Sequence, residues 1–101
     1  MGQRGSDGAG DAYEAIFTAL AHPVRRRILH TLYFYGDEMT AGEIAALFEQ
    51  AWPTTTRHLG ILVDAGLLRR ESRGRERMYR IDRARLKLAG DWIGIFFKDN
   101  R

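Results

Sequence analysis

Few residues of this 101-residue chain are suited to covalent or metal chemistry. It has no cysteine, which removes disulfides, thiolate metal sites and cysteine nucleophiles together. Its histidines, His22, His30 and His58, lack the paired i, i+4 spacing that puts two imidazoles on one metal. No glycine-rich phosphate loop, nucleophile elbow or Ser/His/Asp arrangement is present. Neither catalysis, nor a metal, nor a cofactor is therefore expected. What remains is arginine: fourteen arginines against two lysines, with six arginines and two glutamates in residues 69–80, RRESRGRERMYR. A guanidinium forks onto a phosphate or onto guanine O6 and N7. Residues 36–50 carry four acids and no base. A basic stretch set apart from an acidic one is the electrostatic footprint of a polyanion binder, although a solvated arginine-rich surface would read the same by charge alone.

The elements around these arginines follow from apolar spacing. Tyr13, Ile16, Phe17 and Leu20 stand at i, i+3, i+4 and i+7, one face of a first helix. His22-Pro23 breaks the chain and restarts it, with Pro23 at a first helical position where its missing N–H costs nothing. A second helix runs to about Tyr35 with Val24, Ile28, Leu29, Leu32 and Tyr33 as its buried stripe, and Gly36-Asp37 ends it. Thr40-Ala-Gly-Glu43 is a capping-box pattern. It opens a third helix expected to bury Ile44, Ala45, Leu47 and Phe48. A fourth helix starts at Trp52-Pro53, buries Leu59, Leu62, Val63 and part of Thr55, and is capped by Gly66. Leu67 to Ile81 then reads as a hairpin turning at Arg73-Gly74-Arg75-Glu76, with Tyr79 and Ile81 inward and Met78 undecided. A last helix from about Arg83 to Phe97 is apolar over much of its surface.

The order is helix–helix–helix–helix–strand–strand–helix (α-α-α-α-β-β-α). That is a mainly α chain with a small β-hairpin, laid out as a winged helix-turn-helix. Residues 12–98 are expected to form the single folded domain, and the Gly-rich, polar stretch 1–11 a disordered lead-in. No apolar run approaches the length of a membrane span, and the first residues lack the apolar core of a signal peptide. With no cysteine, the composition fits a reducing cytoplasm. The final helix is too apolar for a lone surface helix. A homodimer is therefore expected, held by Tyr13, Ile16, Phe17, Leu20, Leu88, Trp92, Ile95 and Phe96. The competing reading folds that helix back over its own core.

Several segments match a known family jointly. IFTALAHPVRRRILHTL resembles the opening signature of ArsR-type winged-helix repressors, with His22 where an acidic residue is usual. MTAGEIAALF resembles the family's third helix, TTTRHLGILVDAGLL its recognition helix, and RESRGRERMYRI its wing. The resemblance spans about residues 12–97. GDEMTAGEIA and the tryptophan-containing last helix look most like the autorepressor type that lacks metal-site motifs. Family metal sites use cysteines of the third helix or Asp/His pairs of the last, and this chain has neither. The resemblance implies a dimeric transcriptional repressor that binds an inverted repeat in double-stranded DNA, often upstream of its own operon. Many family members release DNA when a metal ion or another signal arrives, and a cytoplasmic, nucleoid-associated location is expected.

In such a fold the second helix of the helix-turn-helix reads bases and the wing grips the backbone. By resemblance the base-reading positions are Trp52, Pro53, Thr56 and Arg57, with Thr54 able to bond base or phosphate. Arg57 suits a guanine edge or a phosphate. Trp52 either packs on sugar and thymine methyl or plugs the core. His58 either reaches a phosphate or is a half-buried histidine bonded locally. Arg73, Arg75 and Arg77 surround Gly74 and would reach phosphates or the minor groove. Of Arg25, Arg26 and Arg27, which point in three directions on one turn, at most two can face DNA. A winged helix used as a protein-interaction module, or a nonspecific DNA binder, is the rival reading.

Overall fold

A computed structural model describes residues 8–99. It contains α1 (Gly8–Leu20), α2 (Pro23–Phe34), β1 (Glu38–Thr40), α3 (Ala41–Leu47), α4 (Trp52–Asp64), β2 (Leu68–Arg73), β3 (Glu76–Ile81) and α5 (Arg83–Gly94), followed by a 3-10 turn at Ile95–Phe97. The helix α1 begins at Gly8, so residues 8–11 are helical rather than part of a lead-in. The rest of that stretch, residues 1–7, lies outside the described residues.

The α1–α2 junction shows why HPVRRR is written as it is. His22 is the N-cap of α2, its Nδ1 accepting from the Val24 N–H at 3.1 Å. It does the work of the usual acidic cap with a ring nitrogen as the acceptor. The end of α1 has no basic residue of its own to meet its last carbonyls. Those carbonyls are served from the first turn of α2: Arg25 donates to Ala19 O at 2.7 Å and Thr18 O at 3.2 Å, and Arg26 to Leu20 O at 2.6 Å. Two cations thus lie at the negative end of α1 and satisfy carbonyls that the helix leaves open.

Two helices stop by the same device. Gly36 (φ +89°) lets Asp37 N–H reach Leu32 O at 2.7 Å, and Gly66 (φ +81°) lets Leu67 N–H reach Leu62 O at 3.0 Å. A side chain at residue 66 would also meet Arg85, whose Nε would lie 2.6 Å from the added carbon. That arginine donates to Ala65 O at 3.0 Å and ties α5 to the end of α4. The capping box of α3 forms as expected, with Thr40 Oγ1 accepting from Glu43 N–H at 3.0 Å and Glu43 Oε1 from Thr40 N–H at 2.9 Å.

The sheet has three antiparallel strands in the order β1-β3-β2, one more than the expected hairpin. β1 pairs Glu38 with Arg80, Met39 with Tyr79 and Thr40 with Met78. A three-residue strand carries no readable alternation, and only its pairing with β3 forms it. Helices and sheet close over a core that includes Ile16, Ile28, Leu32, Ile44, Leu59 and Tyr79, all fully buried. Met78 is buried as well, on the opposite face of β3 from Tyr79 and outside the main core.

Four burial expectations need correcting. Ile16 is 0% exposed, so it belongs to the monomer's own core and cannot hold a partner. Tyr33 is 54% and Leu47 47% exposed, and Ala45 is exposed. A seven-residue α3 has room for only one narrow inward stripe, taken by Ile44 with Phe48 just past its end. Tyr33 lies at the solvent edge of α2, where Arg83 sits over its ring at 5.6 Å.

Candidate nucleic-acid interface

The recognition helix α4 divides into two sides. Leu59, Leu62 and Thr55 face the core, with Thr55 only 1% exposed. Pro53 and Arg57 are exposed, and Thr54, Thr56 and Gly60 half-buried. Thr56 Oγ1 has no hydrogen-bond partner among the described residues. Trp52 is 38% exposed and is not a core plug. It lines a groove of about 390 Å³ together with Thr40, Ala41 and Gly42 from the start of α3 and Ser72, Gly74, Arg75, Glu76 and Arg77 from the wing. The beginning of the recognition helix, the beginning of α3 and the tip of the hairpin therefore share one concave surface.

Strand parity sorts the wing arginines. Residues directly opposed across antiparallel strands point to one face, and alternate residues to opposite faces. Arg69, Glu71 and Arg73 of β2 oppose Arg80, Met78 and Glu76 of β3, and Glu38 of β1 opposes Arg80. On that face the charges cancel. Arg73 bonds Glu71 at 2.8 Å and Glu38 at 3.3 Å, Arg80 bonds Glu38 and Glu71 at 3.2 Å each, and Arg69 bonds Asp82 at 3.0 Å. Hydrogen bonding by Arg80, together with the charges of Arg73 and Arg80, holds the Glu38 carboxyl below its ordinary range.

Arg70 and Arg77 oppose Tyr79 and Ser72 and lie on the other face, which carries the core and the groove. Neither they nor Arg75 and Arg57 have a hydrogen bond or ion pair to an acid among the described residues. Gly74, at φ +61°, makes the two-residue turn that holds Arg75 at the tip. Of the three expected wing contacts, Arg75 and Arg77 reach the groove, while Arg73 is engaged elsewhere. Arg70 was not singled out in the sequence, although its parity with Arg77 through the hairpin register would have found it.

His58 is drawn inward. Its Nδ1 lies 3.2 Å from Arg25 Nη1, and its ring sits 4.5 Å from that of His22. Burial first, then the charges of His22, Arg25 and Arg57, push its pKa below the ordinary histidine value. It is therefore a neutral ring against α2 at neutral pH, not a cation offered to phosphate. Arg25 is 9% exposed and is spent on α1 and His58.

A second surface, sharing no residue with the groove, lies on α1 and α5. Tyr13 stacks on Phe17 (6.5 Å between centroids), Phe17 meets Trp92 edge-on at 5.4 Å, and Trp92 meets Phe96 at 5.1 Å. Trp92, Ile95 and Phe96 remain 45%, 60% and 69% exposed. Leu20 and Leu88, expected at the same interface, are half-buried against the core. Among the described residues no helix is long and apolar enough to cross a membrane, and no cluster of three or more His, Cys, Asp or Glu could hold a metal.

This architecture has relatives. A family model described as a helix-turn-helix domain matches residues 20–71. The transcriptional repressor SdpR of Bacillus subtilis (strain 168) is 33% identical over 78 residues, 77% of this chain and 84% of that protein. The crystal structure of an ArsR family transcriptional regulator superimposes with a TM-score of 0.74 at 30% identity, covering 93% of this chain and 90% of that one. The chain belongs to the ArsR family. An ArsR-like transcriptional regulator from Rhodococcus sp. RHA1 agrees, with a TM-score of 0.74 at 28% identity over 89% of this chain and 86% of its own. As an ArsR-family winged helix-turn-helix, the protein is a DNA-binding transcriptional regulator.

Proposed function

We propose that this ArsR-family regulator works as a homodimeric repressor that binds an inverted repeat in duplex DNA. The observation that carries this reading is the groove joining Trp52 at the start of α4 to Arg75 and Arg77 of the wing. In this reading Trp52, Pro53, Thr54, Thr56 and Arg57 approach the major-groove edges of the bases. Arg75 and Arg77, with Arg70 behind them, hold the flanking phosphates. Arg73 and His58 take no part. Trp92, Ile95 and Phe96, with Tyr13 and Phe17, pack against the same ridge of a second copy. Burying such a ridge on a two-fold axis removes exposed aromatic surface from water and places two recognition helices on one face. The half-sites then fall about 34 Å apart, one helical turn, or a multiple of it. The aromatic residues of α1 and of α5 with its 3-10 turn thus serve assembly, and the protein acts in the cytoplasm, where its operator is.

The test is selection of genomic fragments by the purified protein at two salt concentrations, followed by affinity measurements on the selected site. An enriched inverted repeat whose binding weakens with salt is expected. Arg57→Ala should lose discrimination between operator and random DNA by about 1–3 kcal/mol. Arg75→Ala should weaken both alike and lower the salt slope by about 1. Equal retention of all fragments, with no enriched motif, would rule out an operator-specific repressor.

A further inference from the structure

A second cavity lies away from the DNA-facing groove. It measures about 570 Å³ and is walled by the end of α1, one side of α2 and the junction of β3 with α5. Buried Leu29 and Ile81 and half-buried Leu86 line its interior. Arg26, His30 and Lys87 stand around them and are all exposed. Its single acid, Asp37, accepts from Nε and Nη2 of Arg83, which keeps its carboxyl below the usual range. The lining is thus apolar inside and cationic outside.

Neither Arg26 nor Lys87 is locked. Arg26 gives one N–H to Leu20 O and keeps further donors. Lys87 bonds Asp91 at 2.9 and 3.1 Å in an exposed i, i+4 pair, which a second anion can replace at little cost. A cavity of this size, apolar with a few placed charges, is built like a small-molecule site. The chain's own exposed apolar segment, Ile95–Phe97, runs straight into Lys98 and mismatches a cationic rim. That segment also lies beyond Trp92 on the aromatic ridge.

We propose that this cavity binds a small organic anion with an apolar body, of the medium-chain carboxylate class, its tail against Leu29, Ile81 and Leu86 and its head between Arg26 and Lys87. The proposal is independent of DNA recognition. An occupant would sit between the helix that holds α4 through Arg25 and the helix that carries the aromatic ridge.

The test uses the full chain without DNA. Hexanoate, octanoate, decanoate and neutral decanol are titrated calorimetrically, and amide NMR shifts locate the site. Affinity should rise about three- to fourfold for each methylene buried. Decanoate should bind more tightly than decanol, and shifts should centre on Leu29, Ile81 and Leu86. Leu86→Trp, which fills the space, should abolish binding. Lys87→Gln, an exposed change that leaves the fold alone, should weaken decanoate about threefold and leave decanol unchanged. Any of four results would overturn the proposal: no binding, no dependence on chain length, decanol binding as well as decanoate, or shifts confined to Tyr13, Trp92 and Phe96. The last would instead mark the dimer ridge as an unspecific apolar surface.

Discussion

Three consecutive arginines at the start of α2 offer a sharp test, because they look alike in sequence and have different tasks. Arg25 is 9% exposed and makes three bonds: to Ala19 O at 2.7 Å, to Thr18 O at 3.2 Å and to His58 Nδ1 at 3.2 Å. Arg27 is exposed, and its side chain has no hydrogen bond among the described residues. Truncating Arg25 leaves two helix-end carbonyls and a half-buried imidazole without their donor. A hydrogen bond from a charged donor contributes about 1.5–3 kcal/mol, but water reaches the exposed Thr18 end and recovers part of it, so Arg25→Ala should cost about 3 kcal/mol. Against a total stability of about 5–15 kcal/mol this is a large fraction. For a domain of this size it corresponds to a fall in Tm of about 10–20 °C.

Arg25→Lys should recover less than half of that, because an ammonium cannot serve three acceptors lying in different directions. Arg27→Ala should change stability by less than about 0.5 kcal/mol. The assay is thermal and urea unfolding of the three variants at one protein concentration, since a dimer's Tm depends on it. If Arg25→Ala melts no lower than Arg27→Ala, the capping account of the α1–α2 junction is wrong.

Three further outcomes are expected. His58 has a pKa below the ordinary histidine value of about 6.5, so the folded state binds fewer protons than the unfolded one. Its contribution is complete above pH 6.5 and is lost as the pH falls; urea midpoints at pH 7.5 and 5.5 should therefore differ in the wild type and converge in His58→Gln. The depressed carboxyls of Asp37, Glu38 and Asp82 titrate in a lower, separate window. Glu38→Gln removes an acid shared by Arg73 and Arg80. It should raise affinity for random-sequence DNA and steepen its salt dependence, read by fluorescence anisotropy; an unchanged slope would mean that this face stays away from DNA. Trp92→Ala with Phe96→Ala should convert the proposed dimer to monomer in sedimentation velocity, and an unchanged sedimentation coefficient would place the interface elsewhere.

Local signals in the sequence were enough to place most of the helices, although α1 begins at Gly8 rather than residue 12 and the last helix gives way after Gly94 to a 3-10 turn rather than running to Phe97. Pro23 and Pro53, the Thr40–Glu43 box and the two glycines at 36 and 66 each act within a few residues, so their effect is readable without knowing the fold. The same holds for the hairpin turn at Gly74 and for the exposure of Trp52, Pro53 and Arg57 on α4, whereas Thr54, Thr56 and Gly60 are half-buried. Helical spacing alone separates Leu59 and Leu62 from Arg57.

Only the tertiary structure decided what each charge does. β1 exists because β3 lies beside it, and it brings Glu38 under Arg73 and Arg80, which lie 35 and 42 residues away. That pairing removes Arg73 from the set of free cations and leaves Arg75 and Arg77. His58 is captured by Arg25 across 33 residues. Ile16, one of four residues on an apolar helical face, is buried in its own core, whereas Trp92 and Phe96 stay exposed. Periodicity reports that a face is apolar but not what covers it. Charge counts report how many guanidiniums there are but not which have an acid within reach. Both are set by distances between elements, and those distances are fixed only when the chain closes on itself.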